Sequence, residues 1–361
     1  MTRRLLMTAD AVGGVWQYAI ELARGLVRDG WAVDLALLGP AASRAQRVEA
    51  DQAGVTLLDT GLPLDWLAAD ARAVIAAAEA VAQLARERGA DLVQLNQPAL
   101  GVASFAMPVV AVVHSCVASW WEAAGDGPLP PSLRWQTDLV ARGLARAGAV
   151  VAPSTALAAT VFRLYPKAPI PLAIHNGRSL PPASGPMHDF AFTAGRLWDR
   201  GKNVATLDRA AARLGIPFKA AGATTGPHGE HARVEHLHLL GHVGDDVIAG
   251  CLSARPVFAS AAVYEPFGLS VLEAALAGCP LVLSDIPTFR ELWEGVATFV
   301  PADDALGFAA AIEELAGDVP LRVARGTLAR RRALTYTPER NRRAMATLYG
   351  RLLGGGAKVA A

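Results

Sequence analysis

Short β-branched and apolar runs recur along the whole chain, each followed by a turn and often by a longer Ala/Leu-rich stretch of helical period. In the first half they are "RRLLMTA", "WAVDLALLG", "VTLLD", "DLVQLN", "VVAVVHS", "AVVAPS" and "PLAIHN". After residue 189 the pattern restarts as "FAFTAG", "IPFKAAG", "HLHLLG", "RPVFAS", "PLVLSD" and "VATFVP". Strands buried on both faces of a parallel sheet read as near-continuous apolar runs, and the crossover helices between them carry the 3.6-residue period. The pattern therefore predicts an α/β fold with helices covering parallel sheets. Helices are expected over "GVWQYAIELARGLVRDG", closed by Gly30, and over "AADARAVIAAAEAVAQLARERGA". In the second half they are expected over "NVATLDRAAARLG", "DDVIAGCLSA" and "SVLEAALAG".

A chain of 361 residues exceeds the size at which one core keeps growing, and 52% hydrophobic residues are enough for two. The stretch "GRSLPPASGPMHD" interrupts the alternation with Gly, Pro and Ser and reads as an interdomain linker. Two doubly wound domains follow, residues 1–178 and 179–338. A helical stretch at about 339–354, within "YTPERNRRAMATLYGRLLG", is expected to pack back on the first domain, and the tail "GGGAKVAA" is expected to fray. In such sheets ligands collect beyond the carboxyl ends of the strands. Two sheets facing one another would place a cleft there.

The charge balance argues against one class of partner. A formal net charge of +1 with no strongly basic half argues against nucleic-acid binding. The basic cluster Arg330–Arg332 with Arg340, Arg342 and Arg343 reads as a solvated helix face. Cys116, Cys251 and Cys279 lie far apart without metal-ligand spacing, as reduced core thiols of a cytoplasmic protein do. The start "MTRRLLMTADAVGG" is too short in its apolar run for a signal peptide, and no segment is expected to span a membrane.

Two motifs carry chemistry. In "AGRLWDRGKNVATL" a strand ends near Ala194, Gly195 permits a tight turn, Arg196 and Lys202 fall in the loop, and Asn203 is placed to cap the next helix. Two cations beside a helix N-terminus suit a phosphate. Lys202 is one of only four lysines, which strengthens that reading over one of surface ion pairs. The spacing from Gly195 to Lys202 and the Asn in place of Ser/Thr rule out a P-loop. In "YEPFGLSVLEAALAG", Pro266 and Gly268 shape a turn whose amides at Gly268, Leu269 and Ser270 can meet an anion. Glu273 can offer its carboxylate to vicinal hydroxyls, and Glu265 stands ahead of the turn. A phosphate-binding helix end paired with such a carboxylate suits a nucleoside diphosphate; the competing reading has the glutamates serving only the helix dipole.

"EPFGLSVLEAALAG" resembles the Glu-x7-Glu signature of the retaining glycosyltransferases of family 4, with Glu265 and Glu273 at its two positions. "GRLWDRGKN" resembles their Arg/Lys phosphate-binding loop, "GGVWQYAIELARGL" their N-terminal glycine loop, "DLVQLN" and "VVHS" their inner strands, "IHNG" their domain junction and "YTPER" their late C-terminal segment. The resemblance implies a GT-B fold of two Rossmann-like domains, the C-terminal one holding a nucleotide-sugar donor and the N-terminal one an acceptor. It implies that Arg196 and Lys202 neutralise the diphosphate and that Glu273 binds the ribose. By the same resemblance Glu265, with the backbone of Phe267 and Gly268, holds the donor sugar, while the Leu269 and Ser270 amides reach the distal phosphate. No cofactor and no obligatory metal are implied, and no Asp-x-Asp suited to holding a divalent ion is found. His114 would contact the donor sugar and His242 would lie near the base.

In the N-terminal half, Gly13 and Gly14 let backbone amides approach a donor phosphate or the acceptor. Asn96, Trp16, Trp120 and Trp121 stand near strand ends, where an amide and aromatic faces suit a sugar acceptor, although core packing competes for the tryptophans. The loops "TGLPLDWLAAD" and "SWWEAAGDGPLPPS" are expected to shape the acceptor pocket, and His175, Asn176 and Gly177 the hinge. A sugar, a lipid-linked intermediate or a small metabolite would serve as acceptor, and peripheral contact with the inner membrane face stays open. A nucleotide-sugar epimerase of the same fold, a pyridoxal-phosphate phosphorylase and a non-catalytic nucleotide-sugar binder are the alternatives.

Overall fold

In a computed structural model the described residues are 2–180, 183 and 185–355. Met1, three linker positions and the tail 356–361, including Lys358, lie outside them. The chain divides into two compact units, Met1–Gly177 with Pro338–Ala361, and Arg178–Thr337.

In the first unit seven strands form one parallel sheet: β1 (Arg4–Asp10), β2 (Ala32–Leu38), β3 (Thr56–Asp59), β4 (Leu92–Leu95), β5 (Val109–Val112), β6 (Ala149–Ala152) and β7 (Leu172–Ala173). Their order is β3-β2-β1-β4-β5-β6-β7. The helices are α1 (Gly14–Arg28), α2 (Arg44–Ala53), α3 (Ala71–Glu87), α4 (Val117–Ala124), α5 (Arg134–Arg146) and α6 (Thr155–Leu164). The second unit repeats the plan with β8 (Ala191–Ala194), β9 (Phe218–Ala221), β10 (His238–Gly241), β11 (Val257–Ser260), β12 (Leu281–Ser284) and β13 (Thr298–Val300). Their order is β10-β9-β8-β11-β12-β13, again parallel. Its helices are α7 (Val204–Ala211), α8 (Asp245–Ser253), α9 (Leu269–Ala277), α10 (Pro287–Trp293), α11 (Ala305–Gly317) and α12 (Val319–Ala333); α13 (Pro338–Gly355) follows.

Both sheets are covered on two faces. In the first unit one layer is gathered around Leu6, Val93, Ala111 and Val150, the other around Leu5, Met7, Leu35 and Val110. That second layer is completed by α13, whose Met345, Leu348 and Tyr349 are buried in it. In the second unit Phe192, Phe258 and Leu283 point to one layer, and Ala191, Phe218 and Val282 to the other.

Several expectations need correction. Asn203 sits at the helix start with a left-handed backbone (φ 49°) and makes no side-chain cap; its amide instead donates to the carbonyls of Ala261 and Ala302. "SWWEAAGDGPLPPS" is not all loop, since α4 occupies its first part. Cys251 is only half-buried, whereas Cys116 and Cys279 are core thiols. The basic cluster is not simply solvated. Arg330 and Arg332 donate to carbonyls of Leu276, Leu292 and Glu294, and Arg342 pairs with Asp29.

Candidate functional site

In each sheet the strand order reverses between two central strands, β1 and β4 in the first unit and β8 and β11 in the second. Connections diverge there and leave a crevice beyond the strand ends. In the second unit the loop after β8 carries Arg196 and Lys202, and the loop after β11 carries Glu265.

The loop after β8 is held by Asp199. Its buried carboxylate accepts from the Gly201 amide at 2.8 Å and from Arg196 Nη2 at 3.0 Å, and the chain makes one 3-10 turn over Arg200–Lys202. The Gly201 carbonyl then accepts from the amides of Val263 and Tyr264, at 2.9 and 3.1 Å. This docks the loop against the one after β11. Lys202 Nζ thereby lies 2.5 Å from Glu265 Oε2. Gly268, at φ 90°, starts α9 in a conformation that a side chain would strain, and its neighbours Leu269 and Ser270 open the helix. Lys202, Glu265 and Ser270 line one narrow cavity of about 20 Å³, with Thr193 and Gly195 at the end of β8.

Arg196 is not among the residues lining that cavity. Its side chain is 45% exposed, held on Asp199, and its guanidinium lies 5.6 Å from the Trp198 ring centre. The two cations read as a pair in the sequence are thus unequally placed. Glu273, on the fifth residue of α9, is ion-paired to Arg178 Nε at 2.8 Å. Burial raises its carboxyl pKa above the ordinary value, and the Arg178 charge opposes that rise. Phe267 is buried edge-on to Tyr336, leaving its backbone as the functional part. His242 is exposed beyond β10.

In the first unit, Gly13 (φ 92°) and Gly14 open α1 directly after β1, exposed and with open space where a Cβ of Gly13 would stand. His114 lies two residues beyond β5, with its ring 4.5 Å from that of Tyr18 and its Nε2 3.1 Å from Asn96 Oδ1. Asn96 Nδ2 donates to the Thr8 carbonyl at 2.7 Å, so its oxygen must face His114 and accept. His114 is then the Nε2–H tautomer, with Nδ1 left to accept from a ligand. Burial pushes its pKa down to about 4, so the ring is neutral at neutral pH.

Two acceptor candidates are overturned. Trp16 is only 2% exposed, packed in the core with its indole N–H donating to Glu49 at 2.8 Å, so its face cannot stack on a sugar. Asn96 is 5% exposed and spends its amide on Thr8, Gln94 and His114. It positions the histidine from beneath. Trp120 and Trp121 are half-buried on α4, tilted to one another at 6.0 Å, and Trp121 donates to the Gly127 carbonyl at 3.0 Å. The carbonyl of His175 accepts from Asn341 Nδ2 on α13, and Asn176 is buried.

A profile described as Glycosyltransferase Family 4 matches residues 12–179, and one described as Glycosyl transferases group 1 matches residues 189–318. The chain belongs to glycosyltransferase family 4. Within it, a phosphatidyl-myo-inositol mannosyltransferase of Mycolicibacterium smegmatis is 34% identical over 127 residues, which are 34% of this chain and 33% of that protein. One of Mycobacterium leprae is 38% identical over 105 residues, 27% of this chain and 28% of that protein. The chain thus spans about a third of the length of these curated relatives. Among solved structures, a sucrose-phosphate synthase of Thermosynechococcus elongatus is similar with a TM-score of 0.80 at 20% identity, covering 98% of this chain and all of that one. Anabaena HepE in complex with UDP-glucose is similar with a TM-score of 0.75 at 20% identity, over 97% of this chain and 100% of its own. These likenesses show a shared fold, the two-domain GT-B architecture of this family.

Two residues beside the family motifs escape sequence reasoning. Asp199 had a signal in "DRGKN", where an Asp two residues ahead of a Gly suits a side-chain turn. Arg178 had none, because its pairing with Glu273 crosses 95 positions.

The half-buried, desolvated histidine makes a checkable stability term. An unfolded histidine protonates near pH 6.5 and His114 only near pH 4. Between those values the unfolded chain binds more protons, so stability falls as pH drops through the window and does not change on this account above it. Urea midpoints at about pH 5 and about pH 7 are expected to differ less in His114→Gln than in the wild type. An equal pH dependence in the two proteins would contradict the shift.

Proposed function

We propose that the protein transfers a glycosyl group from a nucleoside-diphosphate sugar to an acceptor hydroxyl, with retention of anomeric configuration and without an obligatory metal. The observation that carries this reading is the Lys202–Glu265 pair at the opening of α9, at 2.5 Å. The cavity there, about 20 Å³, has room for little more than one water. A donor entering it separates the pair. The ammonium then meets the diphosphate together with the amides of Leu269 and Ser270, and the freed carboxylate meets sugar hydroxyls. Charge developing on the leaving oxygen is stabilised by groups already in place, the most effective form of electrostatic catalysis. The departing phosphate accepts the proton of the attacking hydroxyl on the same face. Neutral His114, with Nδ1 open, suits contact with an uncharged sugar.

That HepE was solved with UDP-glucose supports a nucleoside-diphosphate sugar as donor. The names of the mannosyltransferase relatives support a hexosyl group and a hydroxylated acceptor. No helix among the described residues is long and apolar enough to cross a membrane. With three free thiols, a cytoplasmic site of action is the reading we adopt, with peripheral contact at the inner membrane face left to the acceptor.

A thermal-shift screen of nucleoside diphosphates and their sugars identifies base and sugar together, because a ligand of the folded state stabilises it by mass action. Transfer assays on the stabilising donor, with and without chelator, and NMR of the product's anomeric proton test the rest. An isomerised donor formed without acceptor would make the protein an epimerase. Tight binding with no turnover on any acceptor would make it a binding protein.

Glu273→Ala is expected to raise the donor KM about tenfold to a hundredfold, the value of one or two hydrogen bonds to a charged group, with little change in kcat. Arg178→Gln should move KM in the same direction, since Glu273 is then a buried carboxylate without its counter-charge. A loss confined to kcat in Glu273→Ala would remove the ribose role.

A further inference from the structure

At its carboxyl end α9 borders a second and larger cavity, about 230 Å³, which the glycosyl-transfer reading does not use. It is lined by Arg255, Arg322, Arg330 and Arg331, with Met187 and Leu334 among its apolar residues, and no carboxylate lines it among the described residues. α9 has nine residues and is therefore roughly 13 Å long, so the cavity stands apart from the Lys202 pocket.

Part of this arginine cluster is structural. Arg322 is buried and spent on Asp189 at 2.8 Å and on the carbonyls of His188 and Arg255. Arg330 Nε donates to the Leu276 carbonyl at 3.1 Å and so caps α9, and Arg255 Nη2 donates to the Gly185 carbonyl at 2.7 Å. What remains is unexplained by the fold. Arg255 Nε is a buried donor with no partner, and Arg331 stands exposed with no hydrogen bond or ion pair among the described residues. A buried donor left unmatched costs about 1–3 kcal/mol, and neighbouring like charges add repulsion. The negative end of α9 amounts to about half a charge, and Arg330 already sits on it. Net potential in the cavity is therefore positive.

We propose that the cavity bounded by Arg255, Arg330 and Arg331 binds a phosphate group carried by a small organic body. Guanidinium forks match phosphate oxygens in pairs, and the volume exceeds that of the anion alone, leaving room beside Met187 and Leu334 for a body of modest size. The same chemistry is offered by a soluble phosphomonoester and by a phospholipid headgroup. Val323 on α12 is 48% exposed and Leu334, just past its end, 53%, beside the arginines, as a lipid surface would require.

The test uses the full-length protein carrying Lys202→Ala, which weakens phosphate binding in the donor pocket. Inorganic phosphate is titrated against chloride at constant ionic strength, with thermal unfolding as readout, and cosedimentation is measured with phosphatidylglycerol–phosphatidylcholine vesicles. Arg331→Glu, at an exposed position, is then added, and Arg331→Lys serves as the charge-conserving comparison. Half-saturation by phosphate is expected to weaken at least about tenfold in Arg331→Glu and to be largely kept in Arg331→Lys. Loss of phosphate binding without any vesicle binding assigns a soluble ligand. Vesicle binding that Arg331→Glu abolishes, with phosphate too weak to titrate, assigns a headgroup. If Arg331→Glu leaves both measurements unchanged, including the case where neither ligand binds, the site does not exist.

Discussion

Lys202→Ala is expected to lower kcat by about 10²- to 10³-fold at saturating donor, the loss typical of one preorganised group aimed at developing charge. The ammonium lies 2.5 Å from Glu265 in a pocket that also presents Ser270, and among the described residues no second cation lines that cavity to replace it. The variant also leaves Glu265 without its partner. Glu265→Gln in the same background separates the two effects: it relieves the unpaired carboxylate but cannot restore the cation. Turnover recovering to the wild-type level in the double variant would show that Lys202 serves only to neutralise Glu265. Arg196 reaches the pocket only by leaving Asp199, so a kcat loss in Arg196→Ala as large as that of Lys202→Ala would report that exchange.

Gly222→Ala is expected to cost roughly 3 kcal/mol of stability, at the upper end for overpacking a site that cannot relax. Gly222 follows β9 at φ 137°, and its amide donates to the Gly241 carbonyl at 2.8 Å. A Cβ there would stand 1.7 Å from the carbonyl oxygen of Gly195, which is backbone and is held in turn by the Gly195 amide on Ala221 at 3.0 Å. The only relief is to part the ends of β8 and β9, and that displaces the loop carrying Arg196 and Lys202. Urea unfolding should show a lower midpoint at unchanged slope, with activity falling in the folded fraction as well. A variant as stable and active as the wild type would mean that the two turns are not packed as described.

The strands were readable because a parallel strand buried on both faces admits little besides apolar residues. Leu92–Leu95, Val109–Val112 and Ala149–Ala152 are buried at every position. The helices were harder. α2 buries only Ala50 and Ala53, so it has almost no apolar stripe, although the Ser43–Gln46 capping box marks its start. α12 packs against α9 through Gly326, Ala329 and Ala333, small residues that carry little periodic signal amid its arginines. Trp16 was misplaced for want of one step: it shares a face with Ala19, Ile20, Ala23 and Leu26, the buried stripe of α1. The Lys202 and Glu265 motifs were legible because each is local, a turn between a strand and a helix. Asn96 was not, because its three partners arrive from Thr8, Gln94 and His114, two of them far away in sequence.

The second unit is one unbroken stretch of chain, Arg178–Thr337, while the first is interrupted by it and is finished by α13. Domains usually mature in the order in which the ribosome delivers them. Here that order is inverted. The stretch made second has all its own parts when it emerges, whereas the stretch made first waits with an open hydrophobic seam until Met345, Leu348 and Tyr349 arrive to seal it. A nascent chain stalled between Thr337 and these residues would carry a complete second stretch and an unsealed first one, and the first is where chaperones would be needed.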